Sequence, residues 1–283
     1  TDNKKDIDIL NYSKKLSKFK KYIDKYHVIS FDLFETLLDK NFSSNSDIYE
    51  VVNLKIKNKK YIKYRYEIEK KLVHKKNFII NYDEILDNLQ KKIDCNNRYK
   101  KKIKKLEEEI ELSNLFVRKE ISELLFYAKK KKKKIILASD TWFDLIFIKR
   151  ILKKNKIDIF DKIYLSSNLK KSKFNGEMFD SIRNDFEGKI LHIGDNPISD
   201  KKNLIKKNIK SLLVPTLNSI ILNSNFSSIY AFNQSIYAKV FIGLIKKKIS
   251  YIIYKCVKLK KFSIYNLKDF GYIFFSILNF IFS

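Results

Sequence analysis

Five short apolar runs constrain this chain more than any other feature: "HVISF" (27–31), "KIILA" (134–138), "KIYLS" (162–166), "KILHI" (189–193) and "SLLVP" (211–215). Each is short and mostly apolar, the pattern of a strand covered on both faces. Helix-like stretches separate the last four, and strands that alternate with helices predict a parallel sheet in an α/β domain. At 283 residues and 45% hydrophobic content the chain can bury a sizeable core. The far longer gap between the first two runs reads as helix. Ile48, Val51 and Val52 follow Ser46 and Asp47, a helix start with Glu50 three after Asp47. Ile85, Leu86, Leu89 and Ile93 share one helical face, as do Ile121, Leu124, Leu125 and Ala128. An insertion directly after the first strand would sit above the C-terminal edge of the sheet, where open α/β sheets bind ligands. It therefore reads as a lid over a site.

The ends of these runs carry chemistry. Asp32 follows the first, Ser139 and Asp140 the second, and Gly194 and Asp195 the fourth, with Asp200 five further on. Lys173 lies between the third and fourth runs. A carboxylate can attack phosphorus only when the phosphoryl charge is neutralised. Mg2+ held by Asp32 and Asp195 would do this, because hard cations take carboxylate oxygens. Lys173 would add a second positive charge. Ser139, with backbone N–H groups at the start of the following helix, would hold phosphoryl oxygens, and Asp200 would orient Lys173 or a metal-bound water from behind. The product of attack is an aspartyl-phosphate, later split by water. His192 lies inside an apolar run and reads as a hydrogen-bonded core residue. The three His and two Cys show no metal-ligand spacing.

The stretches "FDLFETLL", "IILASDTWF", "KFNGEMF" and "LHIGDNPISD" resemble, in order, the four motifs of the haloacid dehalogenase-like (HAD) hydrolase superfamily. The resemblance covers roughly 26–216 and implies a Rossmann-like three-layer parallel sheet with an inserted helical cap. It implies Asp32 as nucleophile, Ser139 and Lys173 as catalytic and phosphate-binding residues with Asp140 beside them, and Asp195 and Asp200 as the acidic pair. It also selects Lys173, six before Phe179, over Lys170 and Lys171. "FD-x-FDTLL", "SD-x-(Tyr/Trp)" and "K-x-x-G-x-(Leu/Met)-F" are similar to a bacterial HAD subgroup found among capsule and surface-polysaccharide biosynthesis proteins. Glu35 stands where that subgroup usually has Asp. Arg65 and Glu69 in "YIKYRYEIEKK", and the segment "FGYIFFSILNF", also look like that subgroup.

One position departs from the superfamily pattern. Two residues after the nucleophile, HAD phosphatases carry an Asp that protonates the leaving oxygen; here Phe34 stands there. By the same resemblance its backbone carbonyl would still serve Mg2+, with Asp32 and Asp195. Three readings follow. Glu35 or a cap residue does the acid/base work in a phosphatase; or the substrate is not a phosphate ester; or the domain binds a phosphorylated sugar or partner without turnover, as a scaffold in surface-polysaccharide assembly. Asp140 is read either as a phosphate-site residue or as the cap of a helix beginning near Thr141. Arg65 is either a cap ion pair or a contact to substrate phosphate. Asn196 is read as shaping the loop before Pro197 behind the site rather than touching substrate, and Trp142 either packs under the cap or stacks on substrate.

The expected organisation is an N-terminal lead-in helix (1–25), first strand and motif (26–43), helical cap (44–131), the rest of the α/β core (132–216) and a basic, apolar helical extension (217–283). The formal charge of +28 rests on 60 basic residues, of which five are Arg (Arg65, Arg98, Arg118, Arg150 and Arg183). A surface built to read nucleic acid would favour Arg, so the charge is read as compositional bias rather than as a field for an anionic substrate, membrane surface or nucleic acid, and no nucleic-acid partner is expected. The expected partner is a small phosphorylated substrate. Residues 237–262 interleave apolar and Lys clusters, which suits either packing on the core or contact with an anionic membrane surface. Residues 270–283 are almost wholly apolar but short of the ~20 needed to span a bilayer. The first residues are polar and show no signal-peptide pattern. The expectation is a cytoplasmic Mg2+-dependent hydrolase, peripheral at the inner membrane face if the extension docks there.

Overall fold

The computed structural model describes residues 9–223 and 236–259; the apolar segment 270–283 lies outside them. All five apolar runs form strands of one parallel sheet: β1 (Val28–Phe31), β4 (Lys134–Ser139), β5 (Lys162–Leu165), β6 (Ile190–Gly194) and β7 (Lys210–Leu213). The order is β5-β4-β1-β6-β7. Residues on each strand alternate between two apolar layers, as a pleated sheet demands. Val28, Ile136, Ala138 and Ile190 join Met178, Phe179 and Ile182 of helix α9 (Glu177–Asp185) on one side. Ile29, Phe31, Ile135, Leu137, Leu191 and Ile193 face the larger core on the other. Both faces are covered, so the expected Rossmann-like three-layer α/β fold with a helical insertion stands.

Strand β1 is central. The chain moves to one side of it for β4 and β5 and to the other for β6 and β7. The carboxyl end of β1 is thus the point where the direction of winding reverses, which leaves an open crevice.

The insertion leaves and returns through an antiparallel ribbon of β2 (Leu38–Lys40) and β3 (Leu115–Val117), with Leu38 opposite Val117 and Lys40 opposite Leu115. Between them lie α2 (Asp47–Ile56), α3 (Tyr61–Lys76), α4 (Tyr82–Ile93) and α5 (Asn97–Asn114). The apolar face of α4 is buried as its periodicity predicts. The return therefore falls at 115–117 and not at the expected 131. Helix α6 (Lys119–Lys130), bearing Ile121, Leu124, Leu125 and Ala128, packs on β4, on α1 (Ile9–Asp24) and on α12 (Ile236–Leu259), so it belongs to the layer over the sheet. The start of α2 also differs from expectation. Ser46 makes no side-chain cap; Asp47 instead accepts from the Ser43 and Ser44 hydroxyls and the Ser44 N–H, closing the turn before the helix.

Helices α7 (Leu145–Lys154), α8 (Ser166–Leu169), α10 (Asn203–Ile205) and α11 (Leu217–Leu222) complete the chain order. Of the basic, apolar stretch 237–262, the part within α12 packs inward through Ile242, Ile245, Ile249, Ile252 and Ile253. Among the described residues no helix is long and apolar enough to cross a membrane.

Candidate active site

The site forms where three neighbouring strands end. Asp32 leaves β1 with its N–H bonded to the Ile193 carbonyl of β6 at 2.9 Å. Ser139 closes β4, and Asp195 follows β6. Lys173 arrives from the loop between α8 and α9. Its ammonium lies 2.5 Å from Asp32 Oδ1 and 2.6 Å from Asp200 Oδ1, all three buried. Burial opposes the Lys173 charge, but Asp200 and Asp32 outweigh it and raise its pKa.

Asp200 sits in a single π-helical turn, Ile198–Lys202, a local widening that recurs at functional sites. Its carboxylate is satisfied from several directions: Lys173, His192 Nε2 at 3.1 Å, and the Asn196 N–H at 3.0 Å. Burial works against this anion, yet Lys173 and His192 hold its pKa below the ordinary range. His192 bonds Ser30 Oγ through Nδ1 at 2.8 Å, and burial lowers its pKa. A neutral imidazole that donates to Asp200 and accepts from Ser30 fits both contacts, and His192 is thereby a core histidine. The Asn196 side chain accepts from the N–H groups of Ile198 and Ser199, so it shapes the turn as its place before Pro197 suggests. Gly194 lets this turn close: a Cβ there would lie 2.4 Å from Asp200 Cγ.

Asp195 is less well satisfied. It accepts from Thr36 Oγ1 at 2.6 Å, and burial pushes its pKa up to about 7. Burial likewise raises the pKa of Asp32 despite Lys173, with Asp200 and Asp195 adding to the rise. Carboxylate oxygens of Asp32, Asp195 and Asp200 lie within 4.8 Å of one another. Lys173 is the single cation in contact with the three among the described residues, so with all three carboxyls ionised the set carries excess negative charge. All-oxygen donors with uncompensated charge fit a small hard dication such as Mg2+.

Glu35 adopts φ +60. It lines the same cavity as Asp32, about 130 Å3, together with Phe34, Asn45, Phe78, Ser139 and Asp140. Its carboxyl accepts from Asn45 Nδ2 at 3.2 Å, and burial raises its pKa.

Two sequence expectations change. Asp140 does not cap the next helix; Asp144 does, accepting from the Phe147 N–H. Asp140 accepts instead from the N–H groups of Lys173 and Phe174 at 2.8 and 3.0 Å, so it fixes the loop that delivers Lys173. Its carboxylate is an unsuitable direct partner for an anionic phosphate. Arg65, a possible substrate contact by sequence, lies in the interior of the insertion. Its Nε lies 3.1 Å from both Glu107 oxygens, its Nη1 lies 2.8 Å from Glu69, and its guanidinium stacks on Tyr49. It is the ion-pair alternative that the geometry realises.

Sequence reasoning missed Thr36, Asn45 and Phe78. Thr36 stood inside "FETLL" with a hydroxyl one residue from Glu35, a weak signal. Asn45 and Phe78 had none, because each comes from the insertion and meets the site only on folding. A larger cavity of about 700 Å3 adjoins the small one. It shares Phe34, Asn45, Phe78 and Asp140 and continues past Trp142, Phe143, Tyr66 and Glu111. Trp142 packs between core and insertion.

No protein-family profile and no curated protein matches the sequence. Several solved structures do. A HAD family enzyme from Bacteroides thetaiotaomicron is 18% identical over 71% of this chain and 97% of its own, with a TM-score of 0.47. A hydrolase from Streptococcus pneumoniae is 21% identical over 70% of this chain and 97% of its own, with a TM-score of 0.41. These overlaps are too low to carry a functional reading, which rests on the side chains instead.

Proposed function

We propose that this protein is a hydrolase of the haloacid dehalogenase-like kind that moves a phosphoryl group from a small metabolite onto Asp32 and then to water. One observation carries the reading: Lys173 is clamped between Asp32 and Asp200 at the open end of the central strand, with Asp195 beside them.

Asp32 is the nucleophile, and an aspartyl-phosphate forms on its free oxygen. Lys173 offsets the charge that accumulates on the phosphoryl oxygens, and Ser139 offers them a hydroxyl. Asp200 and His192 hold Lys173 in place from behind. Asp32, Asp195 and the Phe34 carbonyl would hold Mg2+, which when bound draws negative charge from the phosphoryl oxygens. Phe34 has no proton to give. Glu35 takes that part: it lines the cavity, burial raises its pKa above the ordinary carboxyl range, and Asn45 holds it. The leaving group occupies the larger cavity, whose size suits a sugar-sized group. The motif likeness to surface-polysaccharide proteins supports a sugar phosphate.

The test is phosphate release from a panel of esters with Mg2+, for wild type, Asp32→Asn and Glu35→Gln. The expected result is turnover by wild type, none by Asp32→Asn, and a loss of more than about tenfold in kcat for Glu35→Gln. Full activity of Asp32→Asn removes the nucleophile. Silence of a folded, Mg2+-binding wild type removes the phosphatase reading.

A further inference from the structure

Arg118 and helix α12 are joined to the catalytic loop by a buried polar chain. Glu35 is a non-glycine residue with φ +60, a conformation that L side chains disfavour. Its carbonyl, like any backbone carbonyl shielded from water, needs a donor. The donor is Arg118: Nη1 bonds the Glu35 carbonyl and, at 3.0 Å, the Pro215 carbonyl. The Arg118 N–H bonds the Leu37 carbonyl at 2.9 Å. One residue thus grips the loop on both sides of Thr36.

Arg118 is fully buried and so needs a buried counter-charge. Glu120, also fully buried, supplies it through Oε1 at 2.7–2.8 Å. The other Glu120 oxygen accepts from Ser250 Oγ, and Ser250 Oγ accepts from the Lys119 N–H at 2.9 Å. Ser250 belongs to α12. Two further residues on the same side of α12 dock on the start of the insertion. Lys246 Nζ lies 2.5 Å from Asp39 Oδ1 and 3.0 Å from the Phe42 carbonyl. At Gly243 a Cβ would lie 2.1 Å from the Asn41 carbonyl carbon. Positions 243, 246 and 250 follow helical spacing. They spend one side of a helix outside the sheet on the two segments that flank the insertion.

We propose that Arg118 is a positioning residue for the reaction: it fixes the backbone at Glu35, and α12 sets Arg118 through Ser250 and Glu120. This rests on the hydrolase reading above, with Glu35 as the proton-transfer group. The linkage makes α12 part of the working enzyme. It also separates the roles of the two sides of α12, since Lys247 lies exposed on the outer side.

The experiment compares Arg118→Lys, Ser250→Ala and the control Lys247→Ala, with kcat and KM measured separately and amide hydrogen exchange followed at Leu37 and Leu38. Those two N–H groups bond the Leu33 carbonyl and report the loop without turnover. Arg118→Lys keeps the charge but loses the fork. Expected are about a tenfold drop in kcat for Arg118→Lys and roughly threefold for Ser250→Ala. KM should stay within about twofold. Exchange at Leu37 and Leu38 should speed up in both variants and not in Lys247→Ala. Wild-type exchange in folded Arg118→Lys and Ser250→Ala overturns the proposal, whatever happens to kcat. Faster exchange with unchanged kcat also overturns it, because the loop then moves without consequence. Should wild type hydrolyse no ester, the hydrolase reading fails on its own and the exchange rates decide the linkage. Ser250→Ala removes only a hydroxyl and keeps the test open if Arg118→Lys does not fold.

Discussion

Replacing Arg65 by Met should damage stability far more than substrate binding. Arg65 is 1% exposed and Glu107 3%. Glu107 is a hub: it accepts Arg65 Nε on both oxygens at 3.1 Å, the Tyr61 hydroxyl at 2.5 Å and the Tyr82 hydroxyl at 2.7 Å. These groups, with Tyr49 stacked on the guanidinium, come from all four helices of the insertion. Met fills most of the volume but removes, among the described residues, the positive charge paired with a buried carboxylate. Breaking one side of a buried pair costs about 3–5 kcal/mol. At a urea dependence of ~3 kcal/mol/M the midpoint should fall by roughly 1–1.7 M. Glu107→Gln added to Arg65→Met should recover part of the loss, giving a coupling of about 2 kcal/mol in a double-mutant cycle. Urea unfolding followed by circular dichroism measures all four corners. A loss under about 1 kcal/mol, or strict additivity, refutes the reasoning. A large rise in KM at unchanged stability refutes it from the other side, by making Arg65 a substrate contact.

Gly194→Ala should lower kcat about a hundredfold with the fold retained. The new Cβ meets the Asp200 carboxyl and displaces it from Lys173, and steady-state kinetics beside circular dichroism check this. The His192 pKa is depressed by burial from 6.5. Below that value the unfolded chain takes a proton that the folded one refuses, so this part of the stability falls as pH drops through about 6.5. The stability gap between wild type and His192→Gln should therefore narrow from about pH 7.5 to about 5.5 in urea titrations. A constant gap would place the His192 titration elsewhere.

The strands were legible because parallel strands covered on both faces must be mostly apolar, and β1 and β4 to β7 are, apart from Ser30, His192 and polar residues near their ends. That Asp32, Ser139, Asp195 and Lys173 gather at one end of the sheet was legible because each follows or lies between such runs. What stayed hidden depends on contacts across the chain. Thr36 meets Asp195 at a separation of 159 residues, and Ser250 meets Glu120 at 130; neither pair leaves a local pattern. The boundary at 131 was misplaced for a similar reason. The apolar face of α6 announces burial but not the partner, and its partners proved to be β4, α1 and α12. Asp140 and Arg65 show the limit of residue type. An acid after a strand and a base on a helix suit several roles, and only the fold chooses among them.

The β2–β3 ribbon has a consequence for how such a protein could diversify. The strands that carry the chain into and out of the four-helix insertion lie side by side, Lys40 opposite Leu115. A tight turn can therefore bridge the gap, and another insertion of any length can be spliced there without stretching the sheet. The anchors Lys246 and Arg118 lie on the sheet side of that junction, as do Asp32, Lys173 and Asp195. Modularity is thus written into the connection: on the hydrolase reading proposed above, the part that meets the leaving group is exchangeable, while the part that carries Asp32 stays in place.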